Sequence, residues 1–113
     1  MLHTTFARVD EEDVPRLRSW LASLSSRREE LRESYRQQGT RHELFFLVRT
    51  RRVPILVLIS EVADVEHATN SFLRSRLPID VEFKSLFQEI APEDAEAELL
   101  YDSANYVGVG TAQ

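Results

Sequence analysis

An arginine stands where an apolar residue is due. Val14, Leu17, Leu21, Leu24, Leu31 and Tyr35 recur at alternating spacings of three and four, and Arg28 fills the vacant position of that helical stripe. A guanidinium turned inward needs a carboxylate or an anionic ligand, because burying an unpaired charge is costly. Glu43 is the expected partner, since it shares a strand face with Phe45 and Leu47. The functional reading puts Trp20, Arg28, Tyr35 and Glu43 in a pocket between helix and sheet, holding a small anionic or polar ligand. The plainer reading is a structural ion pair, or an arginine whose stem packs while its head reaches water, with both aromatics serving as core.

Histidine supplies the other candidate chemistry. If the chain between two apolar runs turns tightly at Arg51-Arg52, Thr50 pairs with Val53 and His42 lies opposite Glu61. A histidine–carboxylate pair, with Glu43 as a second acid, meets the needs of general acid–base catalysis. It equally describes a surface cross-strand pair worth about 0.2–1 kcal/mol. His67 falls opposite the apolar stripe of its segment, and His3 lies near the N-terminus. No HxxxH or HxH spacing links the three, so no metal site is expected. The chain has no cysteine, which excludes thiol catalysis, disulfides and cysteine–zinc sites. Gly39, Gly108 and Gly110 build no phosphate loop or dinucleotide fingerprint, and no Gly-x-Ser-x-Gly elbow occurs. No cofactor is expected.

These residues need elements to position them. Thr4 to Val9 reads as a short strand. Asp10 to Asp13 offer capping acids for a long helix carrying the Val14–Tyr35 stripe, with Ser25-Ser26 loosening its middle and Gly39 ending it. His42–Arg49 and Val53–Val62 form a hairpin with a basic tip, Thr50-Arg51-Arg52. Asp64 caps a further helix directing Val65, Ala68, Phe72 and Leu73 to the core. Pro78-Ile79-Asp80 opens another, in which Phe83, Leu86, Phe87 and Ile90 share a face. Glu96 to Asp102 alternates acid and apolar residues and is expected as the last strand. The order is that of an α+β, ferredoxin-like βαββαβ sandwich with an extra short helix before the last strand, spanning residues 1–103 and followed by a loose tail, 104–113. Leu44, Phe46 and Val48 lie on one face of their strand and Phe45 and Leu47 on the other, and Ile55 to Ile59 repeat the doubling. Both sheet faces are therefore apolar, and the economical cover for the second is the same sheet of another copy, a homodimeric α/β barrel.

The chain resembles, over about residues 6–102, a family of small prokaryotic proteins known only as a domain of unknown function. The resemblance rests on Ala7-Arg8-Val9, Leu17-Arg18-Ser19-Trp20, Arg28-Glu29-Glu30, Glu43 with Phe46-Leu47, Pro78-Ile79-Asp80 and Leu99-Leu100-Tyr101-Asp102. It departs at Gln38-Gly39, where the family carries Glu-Gly. The resemblance implies a ferredoxin-like, dimeric α/β-barrel-type fold and no particular activity.

Composition narrows the field further. The 113 residues suffice for one domain, and 42% hydrophobic with 29% charged residues is a globular balance. A net charge of −5 disfavours non-specific nucleic-acid binding. The charge is polarised: Arg27 to Arg52 holds eight arginines against four glutamates, whereas Asp80 to Asp102 holds eight acids and one lysine. The longest apolar run, Val53 to Ile59, is too short to span a bilayer, and the first residues lack a leader's basic and apolar regions. The expectation is a cytoplasmic homodimer that binds or senses a small ligand, with no nucleic acid or membrane partner. The alternatives are a cofactor-independent isomerase, mutarotase or monooxygenase using His42 and Glu61, and a structural or protein-interaction dimer.

Overall fold

Alternating aliphatic and aromatic residues make the three strands of the sheet. In the computed structural model, which describes residues 1–92, 95 and 97–104, they are β1 (Leu2–Arg8), β2 (Thr40–Val48) and β3 (Ile55–Val62). All pairings are antiparallel and the order is β1-β3-β2, which puts the most aliphatic strand in the centre. Among the described residues four α-helices accompany them: α1 (Val14–Ser23), α2 (Arg28–Gln38), α3 (Val65–Arg74) and α4 (Pro78–Ile90). The architecture is α+β, an open three-stranded sheet with helices.

Local chemistry accounts for the boundaries. Gly39 ends α2 in the left-handed region at φ 73°, which costs a residue without Cβ little. The Asp64 side chain accepts from the His67 backbone N–H at 2.8 Å and starts α3. Pro78 occupies the first turn of α4, where its missing N–H is harmless. That helix, expected as a short addition, is the longest at 13 residues.

The single long helix foreseen over the Val14–Tyr35 stripe is broken. Leu24–Ser26 forms a 3-10 turn and Arg27 leaves helical geometry at φ −124°, ψ 40°. Ser23, Ser25 and Ser26 each donate a hydroxyl to a backbone carbonyl three residues back, competing with the helix ladder. The break resets the rotational phase, so α1 and α2 present independent faces.

The helix-facing side of the sheet has two halves. At one end Ala7, Leu56 and Leu58 pack with Val9, Val14, Leu17, Leu86 and Ile90 in the buried core. At the other end His3, Ser60 and Glu43 lie in one cross-strand row. Leu73, expected inside, is 61% exposed, and α3 has no fully buried residue. The opposite side of the sheet is bare: Phe6, Val57 and Phe46 form one row, Thr4, Ile59 and Leu44 the next. Phe46 is 48% exposed, and Leu44 and Val48 are also open to solvent. The shortest molecular extent, 22 Å, is the thickness of one sheet and one layer of helices.

The expected last strand does not form among the described residues. Residues 97–102 carry no strand, and Leu99 and Leu100 are exposed. β1 is thus a sheet edge, and the ferredoxin-like plan is complete only in its first three strands. Apart from Ala104, the tail expected at 104–113 lies outside the described residues. No helix among the described residues is long and apolar enough to cross a membrane.

Candidate functional site

A cleft of about 680 Å³ opens between the polar half of the sheet and helices α2, α3 and α4. Trp20, Tyr35 and Glu43 all border it, as three of the four expected pocket residues. Arg28 does not. It is the first residue of α2 and is exposed, because the 3-10 break turns Arg27 inward in its place. Arg27 bonds Glu30 at 2.9 Å and Glu82 at 2.7 Å, and these acids raise its pKa. Glu82, held below the ordinary carboxylate range chiefly by Arg27, also accepts from the Trp20 indole at 3.3 Å. Glu30 in turn accepts from the Ile79 backbone N–H at 2.6 Å, so Arg27 and its two acids tie the start of α2 to the first turns of α4.

Glu43 therefore has other partners than the one expected. Tyr35 donates its hydroxyl to one carboxylate oxygen at 3.0 Å and Ser60 donates to the other at 3.2 Å. Tyr35 reaches Glu43 because both lie toward the cleft, one from the last turns of α2 and one from the strand that follows Gly39. Burial pushes the Glu43 carboxyl up from its ordinary value near 4.5, the two hydroxyl bonds pull it back, and the negative charge of Asp80 adds to the rise. The Tyr35 phenol is also raised, by burial first and then by the Glu43 charge.

Asp80, only 4% exposed, anchors a second polar chain. It accepts from Ser34 and Ser75, each at 2.6 Å, while Gln38 donates to Ser34 at 2.8 Å and Thr40 to Gln38 at 3.2 Å. Its place in the first turn of α4 suits the helix dipole. An aromatic wall borders the same cleft. The Phe83 ring meets Trp20 at 5.2 Å, Phe72 at 5.3 Å and Phe45 at 5.9 Å edge-on, and stacks on Phe87 at 4.4 Å. The sequence named Asp80 only as a helix opener and missed Ser34, Ser60 and Ser75. The one available signal was that Ser34 and Gln38 sit at i and i+4 beside Tyr35.

His42 and Glu61 do pair in register, as the tight-turn argument required. They lie on the bare face rather than in the cleft, with Leu2, Arg41, Leu44 and Ile59 around a smaller hollow of about 310 Å³. His42 is exposed, and Glu61 pairs with the Met1 amino group at 3.2 Å. His67, also exposed, has its ring Nε2 3.0 Å from the Gln37 carbonyl. No group of three or more His, Asp or Glu able to hold a metal ion gathers among the described residues.

The sequence of this α+β chain matches a family of unknown function, DUF6176, over residues 2–107. The chain belongs to that family. No curated protein and no solved structure matches it. What the DUF6176 chain offers chemically is then read from its own cleft: a half-buried carboxyl with raised proton affinity, two hydroxyl donors on it, a second buried carboxylate nearby, and an aromatic wall.

Proposed function

We propose that this protein is a small-ligand binding or sensing module, with the cleft bordered by Trp20, Tyr35, Phe83 and Glu43 as its site. The observation that carries the reading is the Tyr35–Glu43–Ser60 cluster, a hydrogen-bonded polar group of fixed geometry in a cleft that Trp20, Phe45, Phe72, Phe83 and Phe87 also border. Few polar groups converging in a mostly apolar cavity is the usual make-up of a ligand site. Arg28 has no part in it. The test is native mass spectrometry and thermal stability of freshly purified protein. Added mass that is lost in Tyr35→Phe or Glu43→Gln supports the reading; a protein free of added mass, and unmoved in melting temperature by a chemically diverse metabolite panel, overturns it.

The same reading includes a homodimer formed through the bare sheet face. Its support is an exposed apolar surface with Phe46 at its centre, the rows Phe6-Val57-Phe46 and Thr4-Ile59-Leu44 running across it. Phe46→Lys, which puts a charge at the centre of that face, is expected to yield a folded monomer. A wild type that is already monomeric at micromolar concentration rules the dimer out. Residues 97–102 then complete the proposal for the fold: added to the free edge of β1, they would supply the fourth strand of a ferredoxin-like sheet.

An enzymatic reading moves from His42 and Glu61 to Glu43 and Tyr35. Only the raised carboxyl of Glu43 in a cleft favours it, as a group suited to proton transfer.

A further inference from the structure

We infer that the cleft takes an organic cation, a protonated amine carried on a flat apolar body. The inference rests on the ligand-binding reading and specifies the chemistry of that same site.

Among the described residues Glu43 accepts only from neutral hydroxyls, those of Tyr35 and Ser60, and Asp80 only from those of Ser34 and Ser75. Among the described residues no ion pair includes either carboxylate. Two acids in one cavity without a cation are an expensive arrangement, since hydroxyl donors offset desolvation of a carboxylate only in part. Of the side chains near the cleft that carry a full positive charge, Lys84 and Arg27 are otherwise engaged. The Lys84 ammonium is held by the carbonyls of Phe72 and Leu73 at 3.1 Å and of Ser75 at 2.9 Å, at the C-terminal end of α3. Arg27 is taken by Glu30 and Glu82. His3, from β1, stands across Ser60 in the same row as Glu43. A ligand ammonium placed against Glu43 supplies the missing charge. An anionic ligand, which an inward Arg28 would have suited, meets two carboxylates instead.

Trp20, Phe45, Phe72, Phe83 and Phe87 border the cavity, and ring faces attract cations while ring bodies bury a flat apolar group. Lys84 Nζ already sits 5.6 Å from the centroid of Phe72, so this wall accepts a positive charge on its rings. Carboxylate and aromatic faces together select a positively charged head on an apolar body. Each alone would admit many other ligands.

The test uses the full chain and its one tryptophan, Trp20, as the fluorescent reporter. Three probes share a phenyl group on a short chain: 2-phenylethylamine, 2-phenylethanol and 3-phenylpropionate. At pH 7.5 the amine is expected to bind at least about tenfold more tightly than the alcohol, a difference of about 1.4 kcal/mol, and the carboxylate most weakly. In Glu43→Gln the gap between amine and alcohol closes. If that variant does not fold, the wild-type gap read against pH replaces it: it must widen as pH rises from 4.5, because the ammonium favours the ionised Glu43. Equal or tighter binding of the alcohol or the carboxylate overturns the cation while leaving a ligand site. Failure of all three probes also overturns it, and the ligand-binding reading falls with it only if the purified protein carries no added mass as well.

Discussion

Removing the Asp80 carboxylate is expected to cost far more than its small size suggests. In Asp80→Ala the Ser34 and Ser75 hydroxyls, each donating at 2.6 Å inside the protein, lose their acceptor. Ser34 still accepts from Gln38 and Ser75 from the Leu77 backbone N–H, so only the two donated hydrogens are orphaned. A buried donor left unmade costs about 1–3 kcal/mol. The loss of an acid from the first turn of α4 adds about 0.3–1 kcal/mol. Release from burying the charge offsets part of this, and the net expectation is a loss of about 2–5 kcal/mol. Urea titration followed by Trp20 fluorescence reads it as a midpoint lowered by about 1–3 M at unchanged slope. The decisive comparison adds Ser34→Ala and Ser75→Ala to the same chain. The triple variant trades the orphaned hydroxyls for the Gln38 amide hydrogen and the Leu77 N–H, which lose their serine acceptors in turn, so its loss should fall short of the sum of the three single losses, because each serine–Asp80 bond can be lost only once. A single variant that loses less than about 1 kcal/mol, or a triple variant whose losses simply add, refutes the reasoning.

Three further outcomes follow from the geometry. Gly39→Ala should lower stability by about 1 kcal/mol in urea, a purely conformational cost at φ 73°, because the added Cβ meets only Ala63 Cβ at an ordinary 3.6 Å; a loss above about 3 kcal/mol would mean a clash that is not there. Arg27→Ala should cost about 1 kcal/mol, discounted for solvent screening of its half-exposed pairs, whereas Arg28→Ala should stay within about 0.5 kcal/mol; the reverse ranking would restore Arg28 to the interior. Glu43→Gln should alter the pH dependence of stability. The folded state holds the Glu43 proton more tightly than the unfolded chain does, so this contribution is fully present below about pH 4.5 and is lost as pH rises through the folded pKa. Stability of the variant relative to wild type must therefore climb across that window, and a flat or falling difference between the two pH profiles contradicts a raised Glu43.

The sequence made the elements legible wherever the deciding interaction is local. Gly39, Asp64 and Pro78 mark helix ends by backbone geometry and capping that a few neighbouring residues settle, and all three stand where the spacing put them. The hairpin register followed from the turn alone, which is why His42 faces Glu61. Arg28 shows what periodicity cannot reveal. Counting by three and four assumes an unbroken helix, and the serines at 23, 25 and 26 spoil that assumption through hydroxyl bonds to the backbone. One residue of altered phase exchanged Arg27 for Arg28 and, with it, the expected sign of the site. The alternation at 96–102 suited a strand, yet residues 97–102 form none, since strand formation depends on a neighbour as well as a pattern. Trp20, Tyr35 and Glu43 were foreseen as cleft residues because helix and strand periods fix which way each points. The serines that complete the network carry no pattern of their own.

The two halves of the helix-facing sheet surface bear on how this chain tolerates change. Leu56, Leu58, Leu86 and Ile90 hold the fold at one end, while Tyr35, Glu43 and Ser60 stand half-buried at the other. Substitution in the second set removes little apolar area from the first, so it draws only lightly on a marginal reserve of stability. A lineage can therefore rewrite Tyr35, Glu43 and Ser60 while passing on the same scaffold intact.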